Sequence, residues 1–234
     1  MKKLAIIQPS YIPWRGFFDI ISQVDVFVFY DDVQYERRSW RNRNKIKTNN
    51  GTKWLSVPVK TKGKYNAPIN EILIDYDRGW QKDHIQSIYH NYCKSPYFEK
   101  YFPLIVEILE KPWTTIAELD IETTKLLANE LGVRVQWAKS SDYVFDGTKT
   151  KRLINVCKEF GADYYLSGPS ARDYIEPELF REAQIELAYQ EYEYPEYPQQ
   201  FDGFEPFVSV IDLLFNCGED APDYIWGSAG RGSE

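Results

Sequence analysis

Two adjacent carboxylates, Asp31 and Asp32, directly follow the apolar run Val26 to Phe29, and arginines crowd the residues after them: Arg37, Arg38, Arg41 and Arg43. A carboxylate at the end of a buried strand could take a proton as a general base, hold a sugar hydroxyl, or bind a magnesium ion whose remaining positions water fills. Adjacent side chains of an extended segment point to opposite sides, so one of the two aspartates faces any such site. Arginine forks match phosphate oxygens, and amides such as Gln34, Asn42 and Asn44 suit sugar or base edges. Arg41, Asn42, Arg43 and Gln34 are therefore candidate substrate contacts.

Upstream, Gln8-Pro9-Ser10-Tyr11-Ile12-Pro13-Trp14-Arg15-Gly16 is a proline-stiffened turn feeding a helix start. Such a turn offers unpaired backbone N–H groups and the positive end of a helix dipole. Arg15 would add charge for a phosphate or carboxylate, with Gln8, Ser10, Tyr11 and Trp14 as further contacts. In position alone the turn is like the loop after the first strand of nucleotidylyl transferases, whose two histidines it lacks. Downstream, Ser167-Gly168-Pro169-Ser170-Ala171-Arg172 follows another short apolar run. Gly168, Ser170 and Arg172 would stand at the same crevice, since glycine lets backbone approach a ligand closely.

The chain has two histidines, His84 and His90. Either could act as a general base on a sugar amine or hydroxyl. His90 and Cys93 share a helix face and could form an imidazole–thiolate pair. That pair would need an oxyanion hole, and no motif supplies one, so ordinary helix packing is the stronger reading.

These residues need a scaffold, and the apolar runs outline it. Leu4 to Ile7, the amphipathic Trp14 to Ile21 and Val26 to Phe29 read as strand, helix and strand, one unit of a parallel sheet. Ligands bind such sheets beyond the carboxyl ends of the strands, where both loops lie. Trp54 to Val59 and Ile69 to Ile74 predict a hairpin or two sheet strands. From Gly79 to Leu131 the period is helical, with Thr115 and Glu118 spaced as a capping box. Val133 to Trp137, Lys149 to Phe160 and Tyr164 to Leu166 repeat the strand–helix–strand theme, with Ile185 to Leu187 as an edge strand and Phe207 to Phe215 as a last helix. The expected fold is one α/β domain over residues 1–234, a mainly parallel Rossmann-like sheet flanked by helices, with a helical insertion or sub-lobe over 79–131.

Bulk composition narrows the classes. At 234 residues, 43% hydrophobic and 27% charged, the chain can bury a sizeable core. Its net charge of -7 argues against general nucleic-acid binding. Three cysteines, far apart, make no disulfide framework, and two histidines leave little for a zinc site. No apolar run reaches a membrane span and no signal peptide is evident, so the expected location is cytoplasmic. No dedicated metal site is expected; the cofactor stays open, with magnesium as the candidate.

The segments QPSYIPWRGFFDII, DDVQYERRSWRNRNKI, YLSGPSARDYI and YPQ followed by SVIDLLFNCG resemble, in order and over nearly the whole chain, the WbqC-like protein family of bacterial surface-polysaccharide gene clusters. The resemblance singles out Gln8, Pro9, Pro13, Gly16, Asp31, Asp32, Gln34, Arg41, Asn42, Arg43, Gly168, Tyr174, Asp212 and Asn216. Cys93 is outside that pattern. It implies a role in making or decorating O-antigen-type sugars and supplies no catalytic assignment. The expected activity is acyl or aminoacyl transfer to a nucleotide- or carrier-linked amino sugar. Asp31, Asp32, His84 and His90 are the candidates for proton transfer, and partners would be a small-molecule sugar and an acyl donor. The alternatives are magnesium-dependent nucleotidyl transfer and sugar-nucleotide binding without turnover. The tyrosine-rich C-terminal segment could cover the crevice or form a homodimer contact.

Overall fold

The computed structural model describes residues 1–64, 66–191 and 193–227. Five strands, β1 (Lys3–Ile7), β2 (Val26–Phe29), β5 (Gln136–Lys139), β6 (Tyr164–Ser167) and β7 (Glu186–Tyr189), form a wholly parallel sheet in the order β5-β2-β1-β6-β7. The chain leaves β1 for β2 on one side and returns to β6 on the other. The topological switch therefore falls between β1 and β6, where doubly wound sheets open a crevice.

Strand periodicity sorts the side chains into two layers. Leu4, Ile6, Val26 and Val28 face one core with Leu153, Val156, Cys157 and Phe180, from helices α5 (Lys149–Glu159) and α6 (Pro177–Glu182). Ala5, Phe27 and Phe29 face the opposite core, packed by Phe17 and Phe18 of α1 (Arg15–Ser22). Successive residues of a strand point to opposite faces, so a run apolar throughout, such as VFVF, needs cover on both. The predicted α/β class, with a parallel sheet between helices, is the observed one.

The helical stretch resolves into α2 (Trp80–Tyr92), α3 (Phe98–Glu110) and α4 (Ile116–Glu130). Their buried side chains, among them Ile88, Ile105 and Leu119, join the same core as α1 and α7 (Val210–Cys217). The capping box at Thr115 and Glu118 is present, the hydroxyl accepting from Glu118 N and the carboxylate from Thr115 N. At the end of α7, Gly218 takes φ +58°, and a Cβ there would stand 2.3 Å from the Tyr97 ring. Gly218→Ala should cost about 2–4 kcal/mol through backbone strain and overpacking. Urea denaturation measures this, and an unchanged midpoint would contradict it.

The second sheet differs from expectation. It is an antiparallel hairpin of β3 (Arg43–Thr48) and β4 (Gly51–Ser56), not Trp54 to Val59 against Ile69 to Ile74. Ile69–Glu71 is a 3-10 turn, and the Val59 and Ile74 segments share a single bridge. The turn signal is Asn49-Asn50-Gly51, with Gly51 at φ +95°. β3 escapes a hydrophobicity scan because three of its six residues are basic. Only Asn44 and Ile46 face inward in alternation, and Lys47 is buried by donating its ammonium to the carbonyls of Phe201 and Gly203.

The segment from residue 193 to 207 runs back over α1 as a strap. Arg15 Nη1 donates to the Pro195 carbonyl at 2.8 Å and to Tyr224 O at 3.1 Å. Asp212, fully buried, accepts from Tyr197 Oη at 2.8 Å and Gln199 Nε2 at 2.9 Å. Tyr194 and Tyr197 thus pack against their own chain. Among the described residues no helix is long and apolar enough to cross a membrane.

Candidate functional site

A cavity of about 340 Å³ opens at the switch point. Ile7 at the end of β1 and Gly168, Pro169 and Ser170 after β6 form its two inner edges. Trp14, Phe17 and Ile20 of the first loop and helix make an apolar floor, with Phe207 of the strap and Trp40 at the walls. The polar side chains are few: Ser10, Arg41, Asn44 and Ser170, besides the two indoles. Apolar walls with a small number of placed polar groups are what small-molecule sites offer.

Arg41 is the charged group of this crevice. Its Nη1 donates to the carbonyls of Gln8 at 2.8 Å and Pro9 at 3.0 Å and to Ser10 Oγ at 2.6 Å. The guanidinium is thereby locked to the loop after β1, while its Nε has no acceptor. Among the described residues no carboxylate stands within ion-pair distance of it. Burial lowers its pKa, and Asp120 and Glu36 partly offset this from farther away. A desolvated guanidinium without a bonded counter-charge favours an anionic ligand group.

The loop holding Arg41 is itself strained. Ile12 sits at φ +35°, a conformation that β-branched residues rarely take. Asn44 Nδ2 clamps it, donating to Tyr11 O at 3.2 Å and to Ile12 O at 2.8 Å. Strain of this kind persists where neighbouring contacts over-determine the backbone.

The carboxylate pair lies one strand over, at the end of β2. Asp31, buried, accepts from Ser141 N at 3.0 Å on one carboxylate oxygen and from Ser141 Oγ at 2.7 Å on the other. Asp32 accepts from Ser140 Oγ and pairs with Arg152, whose guanidinium lies over the Tyr30 ring. All four carboxylate oxygens are already engaged by donors. That set does not fit magnesium, because Arg152 holds the position a cation would need. Among the described residues no group of three or more His, Cys, Asp or Glu is placed to hold a metal ion. Asp31 orders the turn after β5, and Asp32 is the member of the pair with some solvent access.

Several candidates stand elsewhere. Arg15 is buried and points away from the crevice into Tyr194, Tyr197 and Phe204, its guanidinium carbon 5.0–5.7 Å from the three ring centroids. It braces the strap, because the first turn of α1 is covered and its charge finds carbonyls and aromatic faces there. Tyr11 is fully buried and donates no group to the crevice: its hydroxyl meets His84 Nδ1 at 2.8 Å, and its ring packs on Trp80. Asn42 Nδ2 donates to Val57 O, and Gln34 Nε2 to Asn66 Oδ1. Arg43 lies over Trp54 on the outer face of the hairpin, and Arg172 over Tyr189. His90 lines a separate groove between β4 and α2. Ser10, Trp14, Arg41, Gly168 and Ser170 are the candidates the fold does bring together, with Gln8 lending its carbonyl.

His84 is not a free base. One ring nitrogen meets the Tyr11 hydroxyl at 2.8 Å, and burial, opposed by the Ser56 backbone and Asp83, lowers its pKa to about 4. The unfolded chain binds a proton below about pH 6.5 and the folded one only near pH 4. Its contribution to stability is therefore complete above about pH 6.5 and falls by about 2–3 kcal/mol as the pH drops toward 4. His84→Asn keeps an acceptor near the Nδ1 position and cannot titrate. It should flatten the loss of urea resistance between about pH 7 and about pH 4.5. Parallel slopes for the two proteins would refute this account.

Sequence reasoning missed Trp40, Phe207, Ser140, Ser141 and Asp120. Asp120 is fully buried on α4, and neither carboxylate oxygen has a hydrogen bond. Burial drives its pKa well up, opposed by the Arg41 charge. Its only local sign is a polar run, Asp120, Thr123 and Thr124, on the side of α4 that carries Ile116 and Leu127.

A model of the WbqC-like protein family matches residues 8–224. The chain is also similar to the uncharacterized protein Rv1507c of Mycobacterium tuberculosis (strain ATCC 25618 / H37Rv), 44% identical over 227 residues that cover 96% of this chain and 98% of the relative. No solved structure matches the chain significantly.

Proposed function

The chain belongs to the WbqC-like protein family, and we propose that it is a transferase of bacterial O-antigen-type polysaccharide biosynthesis. It moves an acyl or aminoacyl group onto an amino sugar carried on a nucleotide or another carrier. The observation that carries this reading is Arg41: a half-buried guanidinium without a bonded counter-charge, on the wall of a mostly apolar crevice at the sheet's switch point. The guanidinium suits the phosphate of a carrier-linked sugar. The apolar floor of Phe17 and Ile20 suits an acyl chain or a nucleobase better than a bare triphosphate.

In the transfer, the sugar amine attacks the acyl carbonyl carbon. A C–N bond forms, the carbonyl-to-donor bond breaks, and the amine's extra proton passes to a base. Asp32, paired with Arg152 at the neighbouring strand end, is the residue proposed for that proton. A second reading, nucleotide-sugar binding without turnover, draws on the engagement of every oxygen of Asp31 and Asp32.

The deciding experiment incubates the protein with nucleotide-linked amino sugars and a panel of acyl thioesters, followed by mass spectrometry. A mass gain equal to the acyl group, lost in Asp32→Asn, supports the transferase. Calorimetric binding without any product under every donor supports the binding protein. Neither binding nor product would remove both.

A further inference from the structure

Beyond the crevice, two large indoles are left half in solvent. Trp40 is 42% exposed and Trp54 41% exposed, although tryptophan is a residue that folding usually covers. Their ring centroids are 5.2 Å apart. Trp40 belongs to the crevice wall, whereas Trp54 belongs to a second cavity of about 530 Å³ between β4 and α2. Trp54 lies opposite Lys45 on the outer face of the hairpin, at the β4 strand along which the second cavity runs, so the two rings form a ridge between the cavities.

The groove beyond that ridge is built differently from the crevice. Asp83, Gln86, His90 and Asn91 present carboxylate, amide and imidazole groups along α2, and Lys53 is held beside them by its bond to Ser87 Oγ at 2.7 Å. On the ridge, the Arg43 guanidinium carbon lies 4.3 Å and Lys45 Nζ 5.0 Å from the Trp54 centroid. Residues 43 and 45 share one face of β3, and register sets Lys45 opposite Trp54, so the hairpin itself assembles this cationic, aromatic face.

We infer that the Trp40–Trp54 ridge and the groove behind it form an acceptor track for a saccharide chain of several rings bearing at least one acidic group. The inference rests on the transferase reading of the crevice, and it names the acceptor class. The C–H face of a pyranose carries slight positive charge and packs on the negative face of an indole. Side-chain amides and imidazoles both give and accept hydrogen bonds and carboxylates accept them, as sugar hydroxyls require. Arg43 and Lys45 supply the preference for an acidic sugar. A single-stranded nucleic acid would use the same aromatic and basic elements. It is disfavoured because the groove beyond the two indoles offers amides, a carboxylate and an imidazole and no further indole or phenyl faces on which successive bases would stack.

The test is calorimetric titration of the full chain with tetragalacturonate, digalacturonate, maltotetraose and a hexathymidylate. Tetragalacturonate is expected to bind at least tenfold more tightly than the dimer, which is too short to cross the ridge, and than the neutral tetramer. Trp54→Ala should weaken it at least tenfold. A double variant on the exposed side of α2, Gln86→Ala with His90→Ala, should remove the advantage of four rings over two without touching the hairpin. Failure of tetragalacturonate to bind, binding indifferent to Trp54, or tighter Trp54-dependent binding of the oligonucleotide would each overturn the inference. Uridine diphosphate, the crevice probe, is titrated separately. If it fails to bind while tetragalacturonate still requires Trp54, the crevice reading falls and the track stands.

Discussion

Replacing Arg41 with methionine is expected to weaken uridine diphosphate binding in the crevice by about 100-fold, at the lower end of the 2–5 kcal/mol typical of truncating a buried charged partner. Methionine fills much of the same volume and keeps the apolar contacts, so the loss reports the guanidinium. Three acceptors that Arg41 now satisfies, the carbonyls of Gln8 and Pro9 and Ser10 Oγ, would lose a donor. A destabilisation of about 1–3 kcal/mol should accompany the binding defect. Arg41→Lys separates the two effects. Lysine restores the charge but offers no fork, so it should recover part of the affinity and little of the loop order. Calorimetry gives the affinities and urea denaturation the stability. Undiminished binding by the methionine variant would place the anion site elsewhere on the molecule.

The position of Arg41 was readable from sequence, and its anchoring was not. Adjacent apolar runs such as LAII and VFVF leave few arrangements besides buried parallel strands, so the loops after them had to share one edge of a sheet. Local periodicity carries that much. It does not say which way a polar side chain turns at a helix start. Arg15, next to Trp14 on the same loop, looks equally suited to a phosphate, yet its acceptors are Pro195 and Tyr224, about two hundred residues downstream. A contact of that sequence separation leaves no mark in the residues near Arg15. The hairpin was hidden for another reason. β3 buries a lysine and an asparagine whose polar ends are satisfied by distant carbonyls, so hydrophobicity alone places the strand too late. His84 shows the converse: the residue type suggests a base, and only the geometry reveals a buried ring whose Nδ1 is already engaged by Tyr11.

Asp212 is where removal of one side chain should cost the fold most. The residue is fully buried at the start of α7, and its Oδ2 accepts from Tyr92 Oη at 2.7 Å while its Oδ1 takes Tyr197 and Gln199. Tyr92 belongs to α2, and Tyr197 and Gln199 belong to the strap. One carboxylate therefore ties three separate stretches of chain. Asp212→Ala would leave the Tyr92 and Tyr197 hydroxyls in the core without their acceptor and remove one of the acceptors of the Gln199 amide, costing about 3–5 kcal/mol. Asp212→Asn retains Oδ1 as an acceptor and should cost about 1–2 kcal/mol, because one rotating tyrosine hydroxyl can accept from the new amide. Urea denaturation ranks the two variants, and equal losses would mean that the acceptor is not what holds the site. The damage should also reach the ligand. The strap carries Phe207 into the crevice wall, so freeing it in Asp212→Ala opens the apolar side of the cavity while leaving Arg41 in place. Limited proteolysis should then cut between residues 193 and 207 before any other site, and crevice ligands with large apolar groups should lose more affinity than small anions.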